Sequence, residues 1–220
     1  LRPPPHISGR RFLFSRRPVP DQIGVASLTG LCWPCREKML RVYSQNWDGG
    51  DVLPELDRSE WHHLVRVRRA REDEAVELLN GRGHLATCRL VGVRRPDPRL
   101  DLQRVAFHPP PVLAIRLCLA IPKAKAFAAI LHKAVELGIA EIQPLLTRHT
   151  EGDAAEGPSR MERWQAILVE ALKQSGNPWL TAIREPLALE AFLQEGGQRP
   201  RLCAALQPEA RPLASLAREV

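Results

Sequence analysis

The chain has 220 residues, 44% hydrophobic and 26% charged, an ordinary globular balance that suits one large domain or two small ones. No apolar run reaches the roughly eighteen residues of a membrane span and no hydrophobic segment near the first residue reads as a secretory signal, so the expected compartment is the cytoplasm. The formal charge is +7, but residues 1–38 hold seven Lys or Arg against two acids, so local clusters must carry any argument for a nucleic-acid partner.

Residues 1–38 carry Pro3-Pro4-Pro5 and two Arg pairs and show no sustained periodicity. Met39 then opens MLRVYSQ, which reads as a chain start running into a strand at Leu40 to Ser44. The expectation is that residues 1–38 are disordered or lie upstream of the native start; a basic arm on RNA and a targeting segment are the alternatives. Cys32-Trp33-Pro34-Cys35 has the spacing of redox and metal sites, but no strand-to-helix context and no second ligand pair accompanies it. The cysteines are five, an odd number, and Cys88, Cys118 and Cys203 sit singly in apolar runs, so no disulfide framework is expected.

From Met39 to about Val105 the pattern is of short strands and one helix. Asp57-Arg58-Ser59-Glu60 is a helix-start cluster, and Trp61 to Arg69 reads as a short basic helix. Glu74 to Leu79 and His84 to Val93 are strands joined by the turn Asn80-Gly81-Arg82-Gly83, and several short strands with Gly turns imply a small barrel. The helix holds His63, Arg66 and Arg69, with Arg71 just beyond, a cluster that can neutralise phosphates. Adjacent His62 and His63 cannot both face one metal from a helix, so no metal is expected. Arg94 to Pro111 contains five prolines, and its last three, Pro109-Pro110-Pro111, read as an inter-domain linker.

Leu113 to Ile121 then begins a strand-helix-strand unit. The helical face is Phe127, Ile130, Leu131, Ala134 and Leu137, Gly138 closes the helix, and Ile139 to Leu146 is the second strand. Lys123, Lys125 and Arg148 follow the carboxyl ends of those strands, where open α/β sheets bind ligands. After an acidic loop at Glu151 to Pro158, Ser159 to Glu162 matches a capping box before a helix with face Trp164, Ile167, Leu168, Ala171 and Leu172. Gln174-Ser175-Gly176-Asn177-Pro178 stops it. A strand at Leu180 to Ile183, a helix from Leu187 to Gln194, a strand from Arg201 to Leu206 and a helix starting at Leu213 complete the order, which predicts a parallel α/β sheet.

Several segments in this order resemble one family. They are Glu60-Trp61-His62-His63-Leu64-Val65-Arg66-Val67 with Asn80-Gly81; Ala120-Ile121-Pro122-Lys123-Ala124-Lys125; Lys133-Ala134-Val135-Glu136-Leu137-Gly138; Pro144-Leu145-Leu146-Thr147-Arg148; Arg163-Trp164; and Glu170-Ala171-Leu172-Lys173-Gln174-Ser175-Gly176. Together, from Met39 onward, they are similar to the ribosomal RNA small-subunit methyltransferase E family of the SPOUT superfamily, which methylates N3 of a uracil in 16S rRNA. The resemblance implies an α/β protein with a PUA-like RNA-binding β-barrel over residues 39–108 and a SPOUT knot domain with a parallel sheet over residues 112–220. It further implies a homodimer acting on the small ribosomal subunit, with S-adenosylmethionine as methyl donor.

The resemblance also sets expectations about the site. The family's donor loop, reading like G-P-E-G-G, and its later L-R-x-E-T-A segment are not in these 220 residues, so the cofactor-binding residues are expected after Val220 and the knot domain is expected to be incomplete. Donor binding by this chain is accordingly expected to be weak or absent, and the chain alone inactive. The substrate-RNA candidates are His63, Arg66, Arg69, Lys123, Lys125, Arg148, Gln174 and Ser175, and the motifs name no catalytic base. Lys133 and Glu136 are expected on a helix face or dimer contact, and Trp164 in the core rather than under a base. The competing function is a non-catalytic RNA-binding protein of the same family; a redox protein built on Cys32 and Cys35 is the third.

Overall fold

A computed structural model describes residues 39–56, 58–95, 98–148, 150, 158–195, 200–204, 210–212 and 215. The expectations for residues 1–38, for His149, for the loop at 151–157 and for Leu213 lie outside the described residues.

The front half holds β1 (Leu40–Tyr43), α1 (Arg58–His62) running into a π-helical turn (His63–Val67), β2 (Ala75–Leu79), β3 (His84–Val91) and β4 (Arg99–Phe107). Its sheet has the order β1-β2-β3-β4, with β1 parallel to β2 and the other pairs antiparallel. The β2–β3 turn forms where the sequence places it, because Gly81 and Gly83 take φ of +68° and +93° and Asn80 Oδ1 accepts the backbone N–H groups of Arg82 and His84 at 2.8 and 3.1 Å.

Strand β4 is an element that the sequence pattern did not announce; it ends two residues before the Pro109 triplet. A register shift between Thr87 and Cys88 sets Cys88 opposite Leu102 and Thr87 opposite Arg104, which interrupts the alternation that would have announced the strand. The basic helix is corrected: α-helix lasts only from Arg58 to His62, and the next five residues widen into a π-turn closed by the Arg68 N–H on His63 O.

The back half holds β5 (Arg116–Ala120), α2 (Ala124–Glu136), β6 (Glu141–Leu146), α3 (Pro158–Ser175), β7 (Ala182–Ile183), β8 (Leu187–Ala188) and α4 (Leu189–Gln194). Strands β5, β6 and β7 are parallel in that order, and β8 also pairs parallel to β6, which gives the expected parallel sheet. Gly138, at φ +72°, ends α2 as expected. Phe127, Leu131, Val135, Trp164, Leu168 and Leu172 of α2 and α3 bury against Ile142; Trp164 meets Phe127 edge to face at 4.7 Å, in the core as expected. Other boundaries differ. Leu113 and Ile115 are exposed ahead of β5, Leu137 is 75% exposed, Ser159 lies inside the first turn of α3 and not at its cap, and the segment expected as helix from Leu187 begins as β8. Arg201 to Ala204 is exposed and irregular, not a strand; Arg201 donates to the carbonyls of Phe192 and Glu195 and so ties that segment to α4.

The two halves share a wall. In β2, Leu78 faces the front core with Val42 and Ala86, while its neighbour Leu79 faces the back core beside Tyr43 and Leu85. This follows from the period of two along a strand. Cys88 is fully buried in the front core, and burial, with the Asp101 charge second, pushes its thiol up to about 12. No helix among the described residues is long and apolar enough to cross a membrane.

Candidate nucleic-acid interface

Parallel β5 and β6 bring three of the sequence candidates to one end of the back sheet. Lys123 precedes the first turn of α2, Lys125 lies within that turn, and Arg148 lies two residues past β6; all three are exposed. The turn carrying Arg148 is closed by the Thr150 N–H on Thr147 O at 3.0 Å and by the Thr147 N–H on Thr150 Oγ1 at 2.7 Å. The first turn of α2 has no acidic residue and no side-chain cap, so its free N–H groups add positive potential to the two lysines and the arginine. This edge suits an anion.

Gln174 and Ser175 do not join it. Helix α3 returns antiparallel to the strands and ends at the opposite, amino end of the sheet, where both residues serve to close the helix. Gln174 Nε2 donates to Glu170 at 3.2 Å; Ser175 Oγ donates to Leu172 O and accepts the Asn177 N–H, each at 3.3 Å. Gly176 follows at φ +72°, and a Cβ there would sit 2.8 Å from the Arg41 guanidinium carbon. Arg41 fills that space. It donates to the carbonyls of Lys173 and Gln174 at 3.2 and 3.1 Å and is paired with Glu77 at 2.8 Å, both side chains being less than a tenth exposed. Lys173 pairs with Glu60 of α1 at 2.9 Å. Burial alone would raise the Glu170 carboxyl, but the Gln174 hydrogen bond and Lys173, with a smaller contribution from His63, outweigh it and hold the group below its ordinary range. His63 is half-buried. None of Arg41, Glu77 and Lys173 stood out in the sequence, although two motif segments, Glu60 to Val67 and Glu170 to Gly176, prove to interlock here.

Arg66, in the π-turn, and Arg69, two residues past it, are exposed. Arg69 borders a shallow cavity of about 470 Å³ whose other walls are Arg71, Glu72 and Arg94, over Val65, Ala70 and Val93. The cavity is braced by Glu72, which accepts the backbone N–H groups of Gly92 and Val93 at 2.7 and 2.9 Å. Those two hydrogen bonds keep its carboxyl below the ordinary range. Arg94 was missed as a site residue because it lay outside the basic helix, just past the expected strand at His84 to Val93. Its signal was the Arg94-Arg95 pair directly after an apolar strand. Among the described residues no three or more His, Cys, Asp or Glu side chains gather as a metal site.

Comparison with known proteins gives these surfaces a context. Residues 108–219 match the RNA methyltransferase domain, and residues 56–97, which contain the whole cavity, match the RNA methyltransferase PUA domain. Ribosomal RNA small subunit methyltransferase E of Synechocystis is 31% identical over 140 residues, 64% of this chain and 45% of the relative; that of Aquifex aeolicus is 26% identical over 158 residues, 70% of this chain and 66% of the relative. The chain thus spans about half to two thirds of these relatives' length. A crystal structure of ribosomal RNA small subunit methyltransferase E from Neisseria gonorrhoeae, bound to S-adenosyl methionine, superposes with a TM-score of 0.63 at 26% identity, over 73% of this chain and 67% of that one.

Proposed function

Because this chain belongs to the RNA methyltransferase family, whose domain it carries over residues 108–219, we propose that it works in methylation of small-subunit ribosomal RNA, at N3 of a uracil in 16S rRNA. The observation that carries the reading is the succession, in one chain, of the PUA match and the methyltransferase match. The barrel half holds RNA through Arg66 and Arg69, and the back half through Lys123, Lys125 and Arg148. S-adenosylmethionine, the molecule bound in the Neisseria structure, is the methyl donor in this reading. The three cations at the sheet edge do not fit a cationic sulfonium, so they belong to the RNA side and no step is routed through the donor. Their chemistry suits the acceptor: a uracil N3 must lose a weakly acidic proton before it can take a methyl group, and fixed positive charge favours the imide anion. Gln174 and Ser175 lie away from these cations, where they close α3 at the far end of the sheet. The protein acts in the cytoplasm as a homodimer; exposed Val112, Leu113 and Ile115, next to the edge strand β5, support a partner there.

Incubating the protein as purified from its own host with small ribosomal subunits that lack base methylation and with isotope-labelled donor tests this. Label in 16S rRNA, with a reverse-transcription stop at one uracil, is expected, because an N3 methyl group blocks pairing. Salt-sensitive binding of the subunit without any label would replace the enzyme reading with that of a non-catalytic RNA-binding protein.

A further inference from the structure

We propose that the cavity at Arg69, Arg71 and Arg94 is a binding site for one unpaired nucleotide of an RNA strand, the base lying on the apolar floor and the phosphates on the arginines. The proposal deepens the RNA reading above and rests on it.

Its volume, about 470 Å³, lies within the roughly 300–1,000 Å³ of ligand pockets. The floor is apolar: Ala70 is 7% exposed, and Val65 and Val93 are half-buried and pack on the front core. The rim is cationic. Among the described residues neither the Arg69 nor the Arg71 guanidinium has a hydrogen-bond or ion-pair partner, and Arg94 only feels the Glu72 carboxylate at a distance. Glu72 accepts the backbone N–H groups of Gly92 and Val93, so the cavity is lined by three arginines and a single carboxylate that already serves the backbone. Arg69 is further held at φ +53°, a conformation that residues other than glycine rarely adopt and that gathers at functional positions. The cavity's two walls, the Val65–Glu72 segment and the β3 exit, are pinned together by Glu72, so the shape exists before any ligand arrives.

An apolar floor beneath unpartnered cations is not what a duplex requires. Paired RNA presents phosphates and hides its bases, whereas an unstacked base offers a flat apolar face together with its phosphate. Exposed Arg66 and Arg68 continue the positive surface along the same segment, as a strand leading in and out of the cavity needs.

Fluorescence anisotropy with the full chain, a short labelled oligouridylate and a blunt RNA duplex of equal length tests the site at two salt concentrations. The Arg69→Ala, Arg94→Ala pair is expected to weaken the single strand at least ~10-fold and to lower its salt slope by about one per arginine removed. Val93→Ser is expected to weaken the single strand about threefold and leave the duplex unchanged, as loss of base–floor contact predicts. If the alanine pair fails to fold, Arg69→Lys with Arg94→Lys keeps the charge, and the single-strand to duplex affinity ratio is expected to fall. Equal losses for duplex and single strand would reduce the site to a phosphate patch and overturn the proposal, as would an unchanged affinity for the single strand. Methyl transfer by the protein purified from its own host is measured in parallel: arginine-dependent binding with no such transfer keeps the nucleotide site and removes only the enzyme reading, while transfer without any arginine effect does the reverse.

Discussion

Gly83 shows how little freedom one position can have. It sits at φ +93°, and a Cβ there would lie 2.6 Å from the His108 carbonyl oxygen and from Trp179 Cζ2. The same spot joins the halves, since the Gly83 N–H donates to Pro178 O, the His108 N–H donates to Gly83 O, and Trp179 Nε1 donates to His108 O. Gly83→Ala is therefore expected to destabilise the chain by about 2 kcal/mol or more, because both the left-handed backbone and a backbone clash oppose it. Urea denaturation of the two proteins checks this; an unchanged midpoint would mean the junction is looser than drawn. The turn residues themselves were legible in the sequence, because Asn80-Gly81-Arg82-Gly83 announces its geometry. What they approach was not, since Trp179 lies almost a hundred positions away.

At the scale of elements, the end of α3 is the informative case. The sequence marked Gln174 and Ser175 as substrate residues from the motif alone, and marked the stop correctly. It could not show that a strand of the other half caps the helix. Arg41 meets the last carbonyls and the negative end of the helix dipole while Glu77 holds it from behind, and this arrangement depends on residues more than a hundred positions apart. Arg41→Met is expected to cost about 3 kcal/mol, since it strips a buried carboxylate of its counter-charge and uncaps α3. Adding Glu77→Leu is expected to recover part of that loss. A thermal-melt double-mutant cycle measures it, and strictly additive losses would show that the pair does not act together. Strand β4 was hidden for a different reason: its bulge moves the alternation by one residue.

For the whole molecule, the α/β class, the parallel back sheet and the order of elements were readable from periodicity, because α2, β6 and α3 each carry a clean apolar face. The site was readable only in part. Lys123, Lys125 and Arg148 fall at one edge because parallel strands send their carboxyl ends the same way, which a sequence can show. The cavity at Arg69 needs the π-turn and the β3 exit to meet, which it cannot. A boundary drawn at the Pro109 triplet also suggests independent domains, yet the two cores lie on opposite faces of β1 and β2. Unfolding is expected as a single transition: Leu78→Ala in the front core and Leu79→Ala in the back core should each cost about 2–5 kcal/mol and lower one shared midpoint. Calorimetry showing two separate heat-absorption peaks would refute the shared wall.

That wall also constrains how such a protein can be inherited. A strand whose odd and even side chains serve different interiors cannot be handed to another gene as part of a cassette, for whichever half departs leaves the other with an open face. The front half is therefore expected to travel with its companion or not at all, and Leu78 and Leu79 to stay as a pair.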